Sequence, residues 1–181
     1  MTVSDLPSLN PSYRYCPLCG NTLGLKLVKA GDPQRPVCST CGYIVYFDPK
    51  VAVGTIIRSN SGDIALVRRS IEPGYGKWVF PGGYVDRGEE PVAAARREAL
   101  EEACLEIQIE GLINIYSYPA IVPIIIVYAS TVSRGELKAG DESLEARWFT
   151  ANNLPWDELA FRSTTEALQD HLHGILHSLG R

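Results

Sequence analysis

Three glutamates near the end of one predicted helix have the spacing of a cation site. Glu98 and Glu101 are three residues apart and Glu98 and Glu102 are four apart, so on a helix the carboxylates lie on one side. Each like-charge pair at this spacing destabilises an isolated helix by about 0.2–0.5 kcal/mol, and a helix C-terminus disfavours anions. The cluster therefore requires a counter-charge. Hard oxygen ligands favour Mg²⁺ or Mn²⁺, above all beside a phosphate substrate.

These carboxylates belong to a longer pattern that begins at a glycine-rich turn, residues 81–83. It resembles the pattern G-x5-E-x7-R-E-U-x-E-E-x-G-U of the Nudix hydrolases, in which U is a bulky aliphatic residue. The matching positions are Gly83, Glu89, Arg97, Glu98, Ala99, Glu101, Glu102 and Leu105. Ala99 is small for its position, and Cys104 stands where the family has glycine. The alternative interpretation is a charged surface helix, in which Arg97 and Glu101 form an ordinary i,i+4 pair.

The resemblance implies hydrolysis of a pyrophosphate that links a nucleoside to another group, with divalent ions that neutralise oxygens and activate water. The metal ligands that it implies are Glu98, Glu101, Glu102, Glu89 and a backbone carbonyl of Gly82 or Gly83. Arg97 is expected to orient the carboxylates by charge-assisted hydrogen bonds. The general base is expected to be Glu101 or a carboxylate of the loop before the last strand, Glu142 or Glu145.

Two Cys-x-x-Cys pairs predict a structural zinc site ahead of this domain. Cys16 and Cys19 form the first pair and Cys38 and Cys41 the second, and a glycine follows each pair. This separation is typical of a zinc ribbon, and four thiolates close a tetrahedral site that has no open position. A rubredoxin-like iron site and a redox dithiol are the alternatives.

These motifs predict three segments: a flexible tail over residues 1–13, a zinc ribbon over 14–46 and a Nudix hydrolase domain over 47–181. The ribbon region carries few basic residues, and a four-thiolate zinc site adds negative charge, so we do not expect it to bind nucleic acid. We expect it instead to be structural or to form a dimer interface, and we predict a homodimer.

Composition and charge are those of an ordinary globular protein. The net charge of −4 gives no general reason to bind nucleic acid or an anionic membrane surface. The first twelve residues are polar and contain proline, unlike a signal peptide. The longest apolar run, residues 120–129, is too short to span a bilayer and is interrupted by Pro123. We therefore expect a cytoplasmic protein with a small-molecule substrate.

The order of predicted elements is that of an α/β protein. Runs of β-branched residues over 50–58 and 63–69 predict a hairpin, and 78–80 a short strand that leads into the glycine turn. Pro91 suits the first turn of the helix that carries the glutamates. Further predicted elements are strands over 106–118, 121–132 and 145–150, a polar loop over 134–143, a helical turn over 156–161, and a final helix capped by Ser163 or Thr164 with apolar positions through Leu179. The resemblance implies a Nudix α/β/α sandwich with a mixed sheet.

Several segments narrow the resemblance to zinc-ribbon Nudix hydrolases that include FAD and ADP-ribose pyrophosphatases, which release AMP. They are residues 46–51, 69–78, 140–145 and 154–161. NADH pyrophosphatases are the alternative, but residues 111–123 contain nothing like their SQPWPFPxS motif. A non-catalytic nucleotide-sensing or RNA-binding Nudix module is an alternative of another class. The residues that we expect to contact substrate are Arg69 on the diphosphate, and Tyr75, Trp78, Tyr116 and Tyr118 as candidates to stack on a base or an isoalloxazine ring.

Overall fold

The computed structural model describes residues 13–119, 121 and 123–179, and the chain divides into two compact units, residues 1–49 and 50–181. The predicted flexible tail lies outside the described residues except for Tyr13. Within the described ranges, no helix has the length and apolar character needed to cross a membrane.

The first unit is built on a small antiparallel sheet, β1 (Leu23–Lys26) with β2 (Arg35–Cys38). Its cysteine pairs lie on two tight turns of the same construction. The Gly20 N–H donates to the Cys16 carbonyl at 2.9 Å, and the Gly42 N–H donates to the Cys38 carbonyl at 3.1 Å. Both glycines have positive φ, +73° and +76°, which glycine adopts without the penalty that a Cβ incurs.

The second unit is a six-stranded mixed sheet with helices packed against it. Its strands are β3 (Val51–Arg58), β4 (Ile64–Arg69), β5 (Trp78–Val79), β6 (Leu105–Tyr116), β7 (Ile124–Gly135) and β8 (Ser143–Phe149). The sheet order is β5-β4-β3-β7-β6, and β8 also pairs with β4. β3 and β7 are parallel, and the other pairs are antiparallel.

The two helices, α1 (Pro91–Ala103) and α2 (Arg162–Leu172), cover opposite faces of this sheet. Successive strand residues point to opposite faces. On β7, Tyr128 belongs to the core cluster that contains Ala94 and Ala95 of α1, whereas its neighbour Val127 belongs to the larger cluster, which contains Leu168 of α2 and also Ala99 and Ala103 of α1. The predicted sandwich and its mixed sheet are confirmed.

The end of the chain differs from the prediction. No side chain caps α2, although Ser163 and Thr164 are buried in its first turn. The helix ends at Leu172 because Gly174 adopts φ +77°, and the chain then returns to the sheet, where the His177 N–H donates to the Leu112 carbonyl at 2.7 Å. The predicted continuation of α2 through Leu179 is therefore wrong. The predicted helical turn after residue 155 is a single 3-10 turn, Trp156–Glu158.

Candidate active site

The glycine-rich turn is held against β3 by backbone hydrogen bonds. The Val53 N–H donates to the Gly83 carbonyl at 2.8 Å, which directs that carbonyl into the sheet. Backbone groups of successive extended residues point to opposite edges, so the Gly82 carbonyl points away from β3. The Gly82 N–H lies on the same side and donates to the Glu102 carboxylate at 2.8 Å. Of the two predicted carbonyls, this arrangement favours that of Gly82 over that of Gly83 as the backbone ligand of a metal ion.

Both glycines are required by close contacts. A Cβ on Gly82 would collide with the Val53 carbonyl oxygen, and a Cβ on Gly83 would collide with the Glu98 carboxylate. The turn therefore lies directly between β3 and the helix that carries the glutamates. A larger side chain at Gly82 would collide with the backbone of β3, and one at Gly83 would displace the Glu98 carboxylate.

Helix α1 approaches the sheet closely because its buried face consists only of alanine. Its buried residues are Ala94, Ala95, Ala99 and Ala103. The departure at Ala99 thus fits a face that lies flat on the sheet, and Glu98 and Glu102 lie along the edge of this face, where they are partly buried. Cys104 ends the helix with φ 57°, the only positive φ outside glycine among the described residues.

Arg97 donates hydrogen bonds to three glutamates of the acidic cluster. It makes two hydrogen bonds of 2.9 Å to the two oxygens of Glu89, one of 2.7 Å to Glu98 and one of 3.1 Å to Glu101. Arg97 lowers the pKa of Glu89 to about 2, and the Asp86 N–H also donates to this carboxylate. Because both Glu89 oxygens are already occupied, the geometry favours a positioning role for Glu89 over the predicted metal contact.

Glu98 and Glu102 are the carboxylates whose burial calls for a cation. Burial raises the pKa of Glu102 to about 7, against the opposing effect of the Gly82 N–H, and burial also raises the pKa of Glu98. No ion pair joins Glu102 to a cationic side chain within the described part of the chain. Because both carboxylates are buried, ionising them without a counter-ion is costly. Carboxylate oxygens are also the ligands that Mg²⁺ and Mn²⁺ prefer, so the pair suits either ion.

The loop before β8 is fixed to the last turn of α1. The Gly140 N–H donates to the Glu102 carbonyl at 3.0 Å, and a Cβ at Gly140 would collide with the Glu101 carbonyl. These contacts satisfy carbonyls that a helix end leaves without partners. They place Glu142 on the wall of the same cavity as the glutamates of α1, and its charge is one of the smaller causes that raise the pKa of Glu102.

Glu145, the other predicted loop carboxylate, lies elsewhere. It is opposite Arg68 in the pairing of β8 with β4, and it forms ion pairs with Arg68 and Arg147. It does not line the cavity that Glu142 lines. Of the two loop carboxylates predicted as the general base, only Glu142 lines the cavity.

The cavity has a volume of about 630 Å³ and one cationic side chain opposite the glutamates. Arg69 lines it, donates from Nε to the Pro73 carbonyl at 2.9 Å, and lies with its guanidinium carbon 5.0 Å from the centre of the Phe161 ring. Its remaining N–H groups are the predicted diphosphate contact. Arg68 instead donates to the Gly76 carbonyl at 2.7 Å.

Two of the four predicted stacking residues have other contacts. Trp78 is only 4% exposed and packs edge-on against Phe149, because β5 pairs with β4 and turns this ring into the core. Tyr116 is 6% exposed and donates to Asp170 at 2.7 Å. Neither lines the cavity beside the glutamates. Tyr75 is exposed and does not line this cavity either, whereas Tyr118 lines an adjoining cavity.

Tyr84 is a lining residue that the sequence analysis missed. It directly follows the glycine turn, its ring lies 4.7 Å from the Lys50 ammonium, and its carbonyl accepts a hydrogen bond from Arg97. Its place in the sequence, one residue after Gly83, could have predicted this position, because the glycine turn must lie beside the glutamates if both belong to one site.

The cysteine cluster of the first unit has the geometry of a tetrahedral zinc site. The four sulfurs lie within 4.8 Å of one another, with 3.6 Å between Cys16 and Cys41 and 3.4 Å between Cys19 and Cys38. Zinc–sulfur bonds of about 2.3 Å place tetrahedral sulfurs about 3.8 Å apart. The Asn21 backbone lowers the pKa of Cys19 to about 6, which favours the thiolate form that zinc binds.

The carboxylates of α1 differ from this closed cluster. Within the described residues, only the four sulfurs of the ribbon form a group of potential metal ligands that all lie within 4.8 Å of one another. The glutamates instead surround an open cavity, in which a phosphate can complete the coordination of an ion.

Comparison with known proteins agrees with this geometry. The NUDIX domain family matches residues 48–168, and the family described as Nudix N-terminal matches residues 14–47. An ADP-ribose pyrophosphatase of Methanocaldococcus jannaschii is 38% identical over 148 residues, which cover 80% of this chain and 82% of the relative. A NAD-capped RNA hydrolase NudC of Stutzerimonas stutzeri is 28% identical over 144 residues, 79% of this chain but 50% of the relative.

The solved structures give the same result. A NUDIX hydrolase from Nitrosomonas europaea superposes with a TM-score of 0.84 at 31% identity, and the match covers 92% of this chain and 97% of that one. With both family matches, this likeness extends over the ribbon and the catalytic domain together. The chain belongs to the Nudix family, as a pyrophosphohydrolase with an N-terminal zinc ribbon.

Proposed function

We propose that this protein hydrolyses the diphosphate of a nucleoside diphosphate derivative, ADP-ribose or FAD, and releases AMP. The observation that carries the proposal is the pair of buried carboxylates, Glu98 and Glu102, which face Arg69 across one cavity. Acidic groups that hold a divalent ion and a guanidinium that binds phosphate are the two requirements for binding a diphosphate.

Glu98, Glu102 and the Gly82 carbonyl are the groups that would hold the ion, with Glu101 beside them. When bound, Mg²⁺ or Mn²⁺ neutralises diphosphate oxygens and lowers the pKa of an attacking water. Arg97 positions Glu98 and Glu101 through its hydrogen bonds, and Glu89 holds Arg97 in place. Arg97 therefore acts on the carboxylates, without a direct contact to substrate.

Arg69 is prepared to bind the diphosphate before substrate arrives. Its Nε is held by the Pro73 carbonyl and one face of its guanidinium lies over Phe161, so few conformations remain to be lost on binding. The terminal nitrogens can then donate in parallel to two phosphate oxygens.

Glu142 is our candidate for the general base. It lines the cavity opposite α1 and is held there by the contacts of Gly140, whereas Glu145 is engaged on the sheet. Glu101 is the alternative base because it also lines the cavity. The matched pair Glu142→Gln and Glu145→Gln separates the two loop residues: kcat should fall at least a hundredfold in the first and less than threefold in the second. Equal losses in both would contradict the assignment.

ADP-ribose is the first substrate to test because the Methanocaldococcus jannaschii relative is an ADP-ribose pyrophosphatase and is similar over most of both chains. NADH is the second candidate, as the alternative that the sequence analysis left open, and capped RNA is tested because a relative of which this chain spans about half is the NAD-capped RNA hydrolase NudC. The experiment is AMP release from FAD, ADP-ribose, NADH and capped RNA with Mg²⁺ or Mn²⁺. Absence of turnover on every dinucleotide, with Glu101→Gln and Glu102→Gln indistinguishable from wild type, would refute the proposal.

A further inference from the structure

A second cavity adjoins the acidic one and continues it. Its volume is about 390 Å³, within the range of small-molecule sites. The residues that line both cavities are Arg69, Val79, Gly82, Gly83 and Tyr84. A diphosphate bound at Arg69 therefore lies at the junction, and the group attached to it can extend into the second cavity.

The walls of this second cavity are apolar and aromatic. Ala52 of β3 and Ile125 of β7 are register partners on one wall. The aromatic rings on the other walls are Phe80, Tyr84, Tyr118 and Phe161. Flat apolar walls of this kind suit a nucleobase, because stacking on aromatic rings contributes binding free energy without specific hydrogen bonds.

Tyr118 separates this aromatic cavity from a groove beyond it. Its hydroxyl donates to Glu166 at 2.6 Å, and the Arg162 guanidinium carbon lies 4.8 Å from the centre of its ring. Arg162 also donates to Glu166 at 2.7 Å. These three contacts fix the ring, and Tyr118 and Arg162 line both the aromatic cavity and the groove.

The groove presents negative charge. Its charged residues are Glu166, Asp170 and Arg162, so carboxylates outnumber cations. Asp170 accepts hydrogen bonds from the Tyr116 hydroxyl at 2.7 Å and from the Asn114 amide at 3.2 Å. The Tyr116 hydroxyl and the Asn114 amide are therefore engaged with a carboxylate, and two carboxylates against one guanidinium leave the groove a net negative charge that repels a phosphate.

We propose that the aromatic cavity binds the nucleoside end of the substrate and that the acidic groove beyond Tyr118 restricts this end to nucleosides that carry no further phosphate. The inference rests on the proposed function for the position of the diphosphate. It predicts a preference for free dinucleotides over substrates in which the ribose continues into another phosphate, such as an RNA chain.

The first test measures binding of AMP and of ribose 5-phosphate, which lacks the base, by calorimetry without added Mg²⁺. Wild type should bind AMP at least tenfold more tightly than ribose 5-phosphate. Tyr118→Ala should weaken AMP binding about tenfold and leave ribose 5-phosphate unchanged, as one lost stacking contact implies. Ala52→Leu, which fills the cavity without removing a wall, should have the same effect, and Leu172→Ala at the end of α2 should have none.

The second test compares ADP-ribose with its 2′-phosphorylated form by kcat/KM. Wild type should prefer ADP-ribose at least tenfold, and the double variant Glu166→Gln with Asp170→Asn should reduce this preference about fivefold. The charge-matched control is Glu106→Gln with Glu136→Gln, which should keep the preference. Equal turnover of both substrates by wild type, or an unchanged preference in the double variant, would overturn the inference.

The two proposals fail in different ways. If the protein binds AMP as expected but hydrolyses no diphosphate, the proposed function is wrong and the nucleoside site stands. If ADP-ribose is hydrolysed but AMP binding is the same in wild type, Tyr118→Ala and Ala52→Leu, the nucleoside site is wrong and the proposed function stands.

Discussion

Without a divalent ion, we expect Glu102→Gln to make the protein more stable at pH 8 and equally stable at pH 4. Burial raises the pKa of Glu102 from 4.5 to about 7. Glutamine keeps the acceptor for the Gly82 N–H, has nearly the same volume and carries no charge. The substitution therefore removes the cost of an ionised, buried carboxylate and little else.

The sign follows from proton binding in the two states. Below pH 4.5 Glu102 is protonated in both the folded and the unfolded chain, so it adds no pH dependence. Between pH 4.5 and about 7 the unfolded chain releases this proton while the folded chain keeps it, and stability falls as pH rises. Above pH 7 the full loss is present. At about 1.4 kcal/mol per pH unit, it amounts to about 3 kcal/mol, as an upper limit.

The assay is urea unfolding at pH 4 and pH 8, followed by tryptophan fluorescence. All three tryptophans lie after residue 50, so the signal reports the catalytic unit. Glu102→Gln should gain about 1–3 kcal/mol over wild type at pH 8. Added Mg²⁺ should stabilise wild type at pH 8 and stabilise the variant much less, because the stabilisation by a bound ligand grows with the logarithm of its affinity for the folded state.

The control is Glu106→Gln, an exposed residue of β6 outside the cavity, which should match wild type at both pH values. A Glu102→Gln protein less stable than wild type at pH 8 without metal would refute the reasoning. A difference of the same size at pH 4 and pH 8 would also refute it, because only ionisation of Glu102 predicts the pH dependence.

Three further predictions concern the loop before β8, the end of α1 and, in the other unit, the zinc ribbon. Gly140→Ala should lower kcat at least tenfold, because a Cβ there collides with the Glu101 carbonyl and displaces Glu142. Activity assays on the purified variant test this, and its zinc content should change less than its kcat. Cys104→Gly should raise the free energy of unfolding by about 0.5–1 kcal/mol, since the residue has φ 57°; urea unfolding would contradict this if stability fell. Cys38→Ser should abolish stoichiometric zinc measured by elemental analysis, whereas Cys104→Ser should retain it; equal zinc in both would exclude the ribbon site.

Helical spacing was sufficient to predict which carboxylates gather, because residues three and four apart on α1 must lie on one side. The roles of Glu89 and Glu145 required the tertiary structure. Glu89 precedes α1 and reaches Arg97 only because the loop folds back on the helix. β8 begins at Ser143, two residues before the predicted start, so Glu145 lies within the strand opposite Arg68, and only Glu142 is left in the loop.

The position of the predicted aromatic contact Trp78 also required the tertiary structure. A short strand of two residues has no period of its own, so nothing in the sequence near Trp78 tells which way its ring points. The direction is set by pairing with β4, which turns Trp78 into the core and leaves Tyr84, after the turn, beside the glutamates. The predicted homodimer and cytoplasmic location stay predictions.

The last turn of α1 concentrates features that oppose the stability of the metal-free fold. Glu101 and Glu102 lie at the negative end of the helix, no basic residue occupies that turn, and Cys104 holds a conformation that suits glycine. Glu102 is also buried enough to raise its pKa to about 7. A divalent ion offsets both electrostatic costs and leaves the strain at Cys104 unchanged. Mg²⁺ should therefore reduce the stability gain of Glu102→Gln and leave the gain of Cys104→Gly as it is.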